Sequence, residues 1–147
     1  MPQLSFKAQI SDFVAQSQAR INAVVAESAQ RIIGIMQTPV GAGGAMPILT
    51  GYLRSSLQVT IGAPVPASRA RPEGETFAYD AAPIALTIAG APLGTTIFAA
   101  YGANYAGHVE YGTSKMQGRG FVRLAAMQWQ TVVSEVSAEL KTRIEAA

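Results

Sequence analysis

Leu53-Arg54-Ser55-Ser56-Leu57-Gln58-Val59-Thr60-Ile61 alternates in character along its whole length, with Leu53, Ser55, Leu57, Val59 and Ile61 set against Arg54, Ser56, Gln58 and Thr60. A period of two marks a strand with one buried face. The stretch predicts a strand over 53–61 and takes the chain out of the all-helical class. Downstream, Ile84–Ala89 and Thr95–Tyr101 are two further apolar runs of strand length, and Gly90-Ala91-Pro92-Leu93-Gly94 between them has the composition of a turn. Five linking residues suffice for a hairpin and are far too few for a parallel crossover, so antiparallel pairing is expected.

On the N-terminal side, residues 5–37 read as one long amphipathic helix. Phe6, Ile10, Phe13, Ile21, Val24, Val25, Ile32 and Met36 recur at spacings of three and four or their multiples, between mostly uncharged polar residues. Gly34 weakens the last turns, and Thr38-Pro39 ends the helix because a residue before proline avoids the α region. Such a helix is about 50 Å long, more than a small core needs, so one end is expected to reach a neighbour. Residues 38–50 form a Gly-rich link that includes Val40-Gly41-Ala42-Gly43-Gly44-Ala45-Met46-Pro47. It is not a phosphate loop, since no strand precedes it and no Gly-Lys-Ser/Thr closes it.

Residues 62–83 interrupt the strand region (53–103) with four of the eight prolines, together with Arg69, Arg71, Glu73, Gly74, Glu75 and Asp80. A segment of that length suits an extended loop or hairpin arm. Residues 104–113 look like a short helical turn closed by Gly112. Residues 119–145 read as a second amphipathic helix with the stripe Phe121, Ala125, Trp129, Val132, Val136, Leu140 and Ile144, and with Lys141 and Arg143 suited to its C-terminal dipole. The expected architecture is α+β in a single domain, 1–147. It has a long N-terminal helix, a small antiparallel sheet of three to four strands with an extended loop or hairpin arm, and a C-terminal helix packed on the sheet.

Composition narrows the function classes. The 147 residues suit one domain. Hydrophobic residues make up 49% and charged residues only 14%, against a usual charged share of about 25%. Either much of the surface faces other protein subunits, whose interface cores are depleted in charge, or the lineage favours Ala and Gly. A net charge of +2 with scattered basic residues gives no basic stripe for nucleic acid. The absence of cysteine excludes disulfides, thiolate metal sites and a cysteine nucleophile. Met1-Pro2-Gln3 opens neither a basic n-region nor an apolar core, so no secretory signal is expected. No apolar run is long enough to span a membrane, and a protein made and kept in a cytoplasm is expected.

Catalytic chemistry finds little to work with. His108 is the only histidine, and His108 and Glu110 at i, i+2 on a helical turn do not face each other. Ser114 has no elbow motif around it, and Glu73 and Glu75 sit in a loop where solvation is the ordinary outcome. No catalytic, metal or cofactor site is expected. Phe98, Tyr101, Tyr105 and Tyr111 read as core and strand-end packing, and Met127 and Trp129 as core or groove residues. Tyr52, Arg69, Arg71, Tyr79, Glu110 and Arg123 are the candidate subunit-interface residues, since Tyr and Arg are enriched at interfaces.

Two stretches together resemble a known family. Thr50-Gly51-Tyr52-Leu53-Arg54-Ser55-Ser56-Leu57 is similar to the "TG-x-L-R-x-S-(I/L)" entry to the first strand of the tail-completion, or putative tail-component, proteins of long-tailed bacteriophages. Tyr105-Ala106-Gly107-His108-Val109-Glu110-Tyr111-Gly112-Thr113 resembles that family's "Y-A-x-x-V-E-(Y/F)-G-T". Where the family has "(A/G)-R-P-F-(L/V)-R-P-A", this chain has Gly118-Arg119-Gly120-Phe121-Val122-Arg123-Leu124-Ala125, with Gly120 and Leu124 in place of both prolines. The resemblance implies a virion protein of the neck, with no enzymatic activity, that forms a hexameric ring joining the head-tail connector or stopper to the tail terminator and tail tube protein. DNA passing through the lumen would be touched without sequence specificity. The runner-up is the tail terminator ring itself; from other classes, a nucleic-acid-binding module or a small hydrolase. On this reading Gly51 and Gly112 supply positive φ or close backbone approach. Glu110 pairs with Arg119 or Arg123, or crosses to a neighbouring subunit. The N-terminal helix and the 62–83 arm reach adjacent rings.

Overall fold

A computed structural model describes residues 5–64, 69–74 and 76–146. Helix α1 (Phe6–Gln37) begins where the Ser5 hydroxyl accepts the Ala8 N–H at 3.2 Å, as an N-cap serine does. It ends at Thr38, held extended by Pro39. At 1.5 Å per residue its 32 residues span about 48 Å. Its two halves differ. Ser28, Ile33, Met36 and Gln37 are buried, whereas Phe6, Ile10, Phe13, Val14 and Ile21 face solvent. Only the C-terminal half of α1 is therefore core.

The Gly-rich link folds into a closed loop. A 3-10 turn at Val40–Ala42 is held by the Val40 N–H to the Met46 carbonyl and the Met46 N–H to the Thr38 carbonyl, which leaves Met46 fully buried. The alternation over 53–61 proves to be two structures. Tyr52–Ser55 forms one helical turn, α2, and the strand β1 runs only over Leu57–Ile61. Gly51, at φ +85°, turns the chain so that consecutive residues Tyr52 and Leu53 are both buried. A helix start allows that, and an alternating strand does not.

Of residues 62–83, those described up to 81 form an extended loop, and the last two begin a helix. Rather than standing away from the body, the loop is tied down at several points. The Asn104 N–H donates to the Arg69 carbonyl at 2.8 Å, and the Phe77 N–H to the Thr50 carbonyl at 2.8 Å. The second expected strand, Ile84–Ala89, is instead helix α3 (Ala82–Ala89). Asp80 Oδ1 accepts the Ala82 N–H, and Pro83 lies in the first turn, where its fixed φ costs nothing. Ile84, Ala85 and Ile88 turn inward while Leu86 and Ala89 face out, a helical and not an alternating pattern.

Strand β2 (Ile97–Tyr101) pairs antiparallel with β1, Leu57 opposite Tyr101 and Ile61 opposite Ile97. After α4 (Ala106–Tyr111), β3 (Gly112–Thr113) and β4 (Met116–Gln117) form a second small ladder. The expected sheet of three to four strands is thus two separate two-stranded ladders among the described residues, because Ile84–Ala89 left the sheet. The C-terminal helix is also divided, into α5 (Phe121–Ala126) and α6 (Trp129–Ala146). At the joint the Gln128 N–H bonds to Ala125, three residues back instead of four.

Two apolar clusters hold the elements together. Ile33, Met36, Leu57, Ile88 and Ala125 form one, and Met46, Tyr52, Leu53, Ala103 and Phe121 the other. Tyr101 and Val122 belong to the margin of both, and the Tyr101 and Phe121 rings meet edge-on at 5.0 Å. Helix α5 shares this core with sheet residues, while α6 lies along α1. Arg31 joins the two helices: its Nη1 donates to Glu139 Oε1 at 3.1 Å, and its Nε lies 3.2 Å from Glu27 Oε1. Hydrogen bonding to Glu139 raises the Arg31 pKa, and Arg31 in turn lowers that of Glu139. Because α5 sits beside Ile33 and Met36 and Glu139 sits beside Arg31, α6 follows α1 back toward its N-terminal end.

Candidate assembly interface

Three stretches far apart in sequence meet on one face. In the first, the Thr50 hydroxyl accepts the Tyr52 N–H at 3.3 Å, and Gly51 lies so close to Phe77 that a Cβ there would strike the Phe77 carbonyl. Gly51 therefore answers two demands that no L-residue meets together, a positive φ and contact with backbone. Tyr52 packs edge-on against Phe77 at 5.2 Å and tilts against Tyr105 at 6.4 Å. Most of its surface is covered within the chain, at 9% exposed, and the rest lines a groove.

In the second stretch, Tyr105 precedes α4, and burial raises its phenol above the ordinary tyrosine value. Ala106 and Val109 pack onto the cluster around Leu53 and Phe121. Glu110 is only 5% exposed. Its Oε2 accepts the Val122 N–H at 3.0 Å, its Oε1 accepts the Arg123 N–H at 2.9 Å, and Arg123 Nε lies 3.1 Å from Oε1. The carboxylate thus caps α5 from 12 residues upstream, where free N–H groups and the positive helix end favour an anion. Of the three partners expected for Glu110, the structure selects Arg123. A carboxylate so enclosed is internal and does not offer itself to a neighbouring subunit.

Gly112, at φ +88°, then reverses the chain. A Cβ on it would lie 2.5 Å from the Gly118 nitrogen and 2.8 Å from the Met116 carbonyl. The reversal lets the Arg119 N–H reach the Val109 carbonyl at 2.8 Å, so the third stretch runs back beside α4. Phe121 enters the core, while the Arg119 side chain stays outside, away from Glu110.

Between the three stretches lies a groove of about 390 Å³. Thr50, Gly51, Tyr52, Leu53, Tyr105 and Val109 form its floor and walls, with Arg71, Arg119 and Met116 completing the lining. Leu49, 98% exposed, stands on its rim. The lining is chiefly apolar with two guanidinium groups, which suits a protein segment carrying apolar side chains and a carboxylate.

The remaining candidates lie elsewhere. Arg54 and Tyr79 form a separate polar knot: Arg54 Nε donates to the Gln37 carbonyl at 2.9 Å, and its guanidinium lies 4.9 Å from the Tyr79 ring centre. The Gln37 side chain completes it, donating to the Arg54 carbonyl at 2.8 Å and accepting the Tyr101 hydroxyl at 2.7 Å. Burial pushes the Tyr101 phenol upward. Arg69 contributes backbone bonds to the sheet margin, and its side chain is exposed. Tyr111, expected in the core, is 70% exposed beneath the Arg123 guanidinium. The Thr113 hydroxyl accepts the Lys115 N–H in the β3–β4 turn. Met127 is exposed, whereas Trp129, outside the core, lines an apolar cleft beside α1.

Sequence reasoning missed Gln37, Met46 and Phe77. Gln37 read only as the last residue of the N-terminal helix and Met46 as linker, and the only sign of Phe77 was an aromatic isolated in a polar loop. For chemistry, His108 is exposed while Glu110 is buried, and Glu75 falls outside the described residues. No group of three or more His, Cys, Asp or Glu that could hold a metal occurs among the described residues. No helix among them is long and apolar enough to cross a membrane. No protein-family model, curated protein or solved structure matches the chain.

Proposed function

We propose that this α+β chain is a structural virion protein of the neck of a long-tailed bacteriophage or phage-derived particle, a tail-completion subunit and not an enzyme. The supporting observation is the convergence of its motif stretches: Thr50–Leu53, Tyr105–Val109 and Arg119, separated by up to 69 residues, line a single apolar groove with two arginines. On this reading the groove is one of the two unlike surfaces by which subunits close a six-fold ring. The ring joins the head-tail connector or stopper to the tail terminator and tail tube protein. The low share of charged residues fits a chain covered on several sides by other subunits.

Light scattering of the purified chain, alone and mixed with its particle's tail-tube protein, tests the proposal. A ring-sized species in either sample, seen as a closed ring by electron microscopy, supports it. A strict monomer in both, at high concentration and low salt, overturns it.

A further inference from the structure

The first twenty residues of α1, 6–25, form a rod of about 30 Å on which most of the large apolar side chains stand clear of the body, with Phe6 77% and Phe13 70% exposed. The exposed Phe6, Ile10 and Phe13, the half-exposed Ser17, the exposed Ile21, the half-exposed Val24 and the buried Ser28 follow at intervals of 4, 3, 4, 4, 3 and 4, with Ser17 at the midpoint. An order that reads the same in both directions is what a two-fold antiparallel pair of identical helices requires, because residue i of one then faces residue 34 − i of the other.

We propose that residues 6–28 of α1 pair antiparallel with the same segment of a second copy of this chain, centred on Ser17. Phe13 then meets Ile21, Ile10 meets Val24, and the two Ser17 residues face each other where small side chains let the backbones approach. Phe6 arrives opposite position 28. Ser28 itself is covered by its own subunit, but Val25, Ala29, Ile32 and Trp129 line an apolar cleft there of about 280 Å³. The exposed face of α1 runs into that cleft through Ile21 and Val25. A phenyl ring seated in it is the kind of aromatic anchor on which interfaces depend.

A second copy is favoured over a foreign helix by the symmetry and by the area. The exposed side chains of Phe6, Ile10, Phe13, Val14, Ile21 and Val25 offer roughly 600 Å² per subunit, so a pair buries roughly 1,200 Å², the lower bound of a specific interface. Residues 5–26 carry only Lys7, Asp12 and Arg20 as charges, so pairing brings no like-charged block together. The pair stands independently of the neck reading, since it forms with or without a six-fold ring.

The chain has no cysteine, so an introduced one reports without ambiguity. Under mild oxidation Ser17→Cys is expected to form a disulfide with itself across the two-fold axis, and Ala19→Cys, 200° further round the helix, is not. In sedimentation equilibrium the wild type is expected to form dimers. Phe13→Lys should weaken them about thirtyfold or more while its circular dichroism stays that of the wild type. Ala19→Lys should leave the association unchanged. A monomeric wild type at high micromolar concentration, or equal cross-linking of the two cysteine variants, overturns the proposal. A ring whose mass Phe13→Lys leaves unchanged overturns the pair and leaves the neck reading standing. A dimer that Phe13→Lys dissolves, and that never grows with tail-tube protein, supports the pair and overturns the ring.

Discussion

Replacing Glu110 by alanine removes the side chain that caps the start of α5 from the α4 turn. Two backbone N–H groups, those of Val122 and Arg123, lose their acceptor at 3.0 and 2.9 Å. Each such group left unpaired and buried costs about 1–3 kcal/mol. The helix end also loses its anion, and the vacated space adds a smaller penalty. A total of about 3–5 kcal/mol is expected, which for a domain near this size lowers Tm by roughly 10 °C. Glu110→Gln keeps the shape but turns an amide N–H₂ toward one of the two N–H donors, so about half that loss is expected. Arg123→Ala should cost under about 1 kcal/mol, because the arginine side chain is 54% exposed and the carboxylate keeps both backbone donors. Urea unfolding and thermal melts followed by circular dichroism measure the series. If Arg123→Ala proves as damaging as Glu110→Ala, the ion pair and not the helix cap is what matters, and the reasoning fails. A Glu110→Gln variant as stable as the wild type would refute it equally.

Four further outcomes are expected. Gly112→Ala should destabilise by more than 2 kcal/mol, roughly, because a Cβ meets backbone atoms at 2.5 and 2.8 Å and the positive φ adds strain of order 1–3 kcal/mol; a near-neutral melt would show that the β3–β4 reversal relaxes. Gln37→Leu leaves the Tyr101 hydroxyl without its acceptor and should cost about 1–3 kcal/mol. With Gln37 in place, the Tyr101 pKa is raised by burial, so its contribution is complete below the unfolded phenol value of about 10 and is lost as pH rises above it. Absorbance near 295 nm should then show one of the five tyrosines ionising only as the chain unfolds. Glu139 shifts the other way, lowered by Arg31. Its contribution is present above the unfolded carboxyl value of about 4.3 and is lost as pH falls through the lower folded value. The acid limb of the stability curve should flatten in Arg31→Gln, and an unchanged limb would remove Glu139 from the account.

The bounds of α1 were legible because both ends carry local chemistry, a serine cap and a proline stop. The strand at Leu57–Ile61 was legible from its period, but its start was not. The alternation continues through Leu53 and Ser55, and only the tertiary demand to bury Tyr52 and Leu53 side by side turns those residues helical. Ile84–Ala89 misled for a different reason. A run of six residues, five of them apolar, is too short to show a helical period, and the informative residues, Asp80 and Pro83, lie outside the run. The break at Met127–Gln128 has no Gly or Pro to announce it. It follows from where α5 and α6 must each pack. At the groove, Thr50–Leu53, Tyr105, Val109 and Arg119 fall within the motif stretches, whereas Pro47, Leu49 and Met116 carried no mark in the sequence. That Glu110 is internal while Tyr111 beside it is exposed depends on contacts 12 residues away, which no local pattern records.

Because α1 is one uninterrupted hydrogen-bonded rod, its outer half works as a lever whose short arm is embedded in the core. A sideways load on Phe6 turns the rod about its contacts with α5 and α6 and arrives, inverted, at Gln37. Gln37 holds the Arg54 carbonyl and Nε on one side and the Tyr101 hydroxyl on the other. Arg54 adjoins Leu53 in the groove wall, so a mechanical event some 30 Å outside the body is delivered to the residues that line the groove.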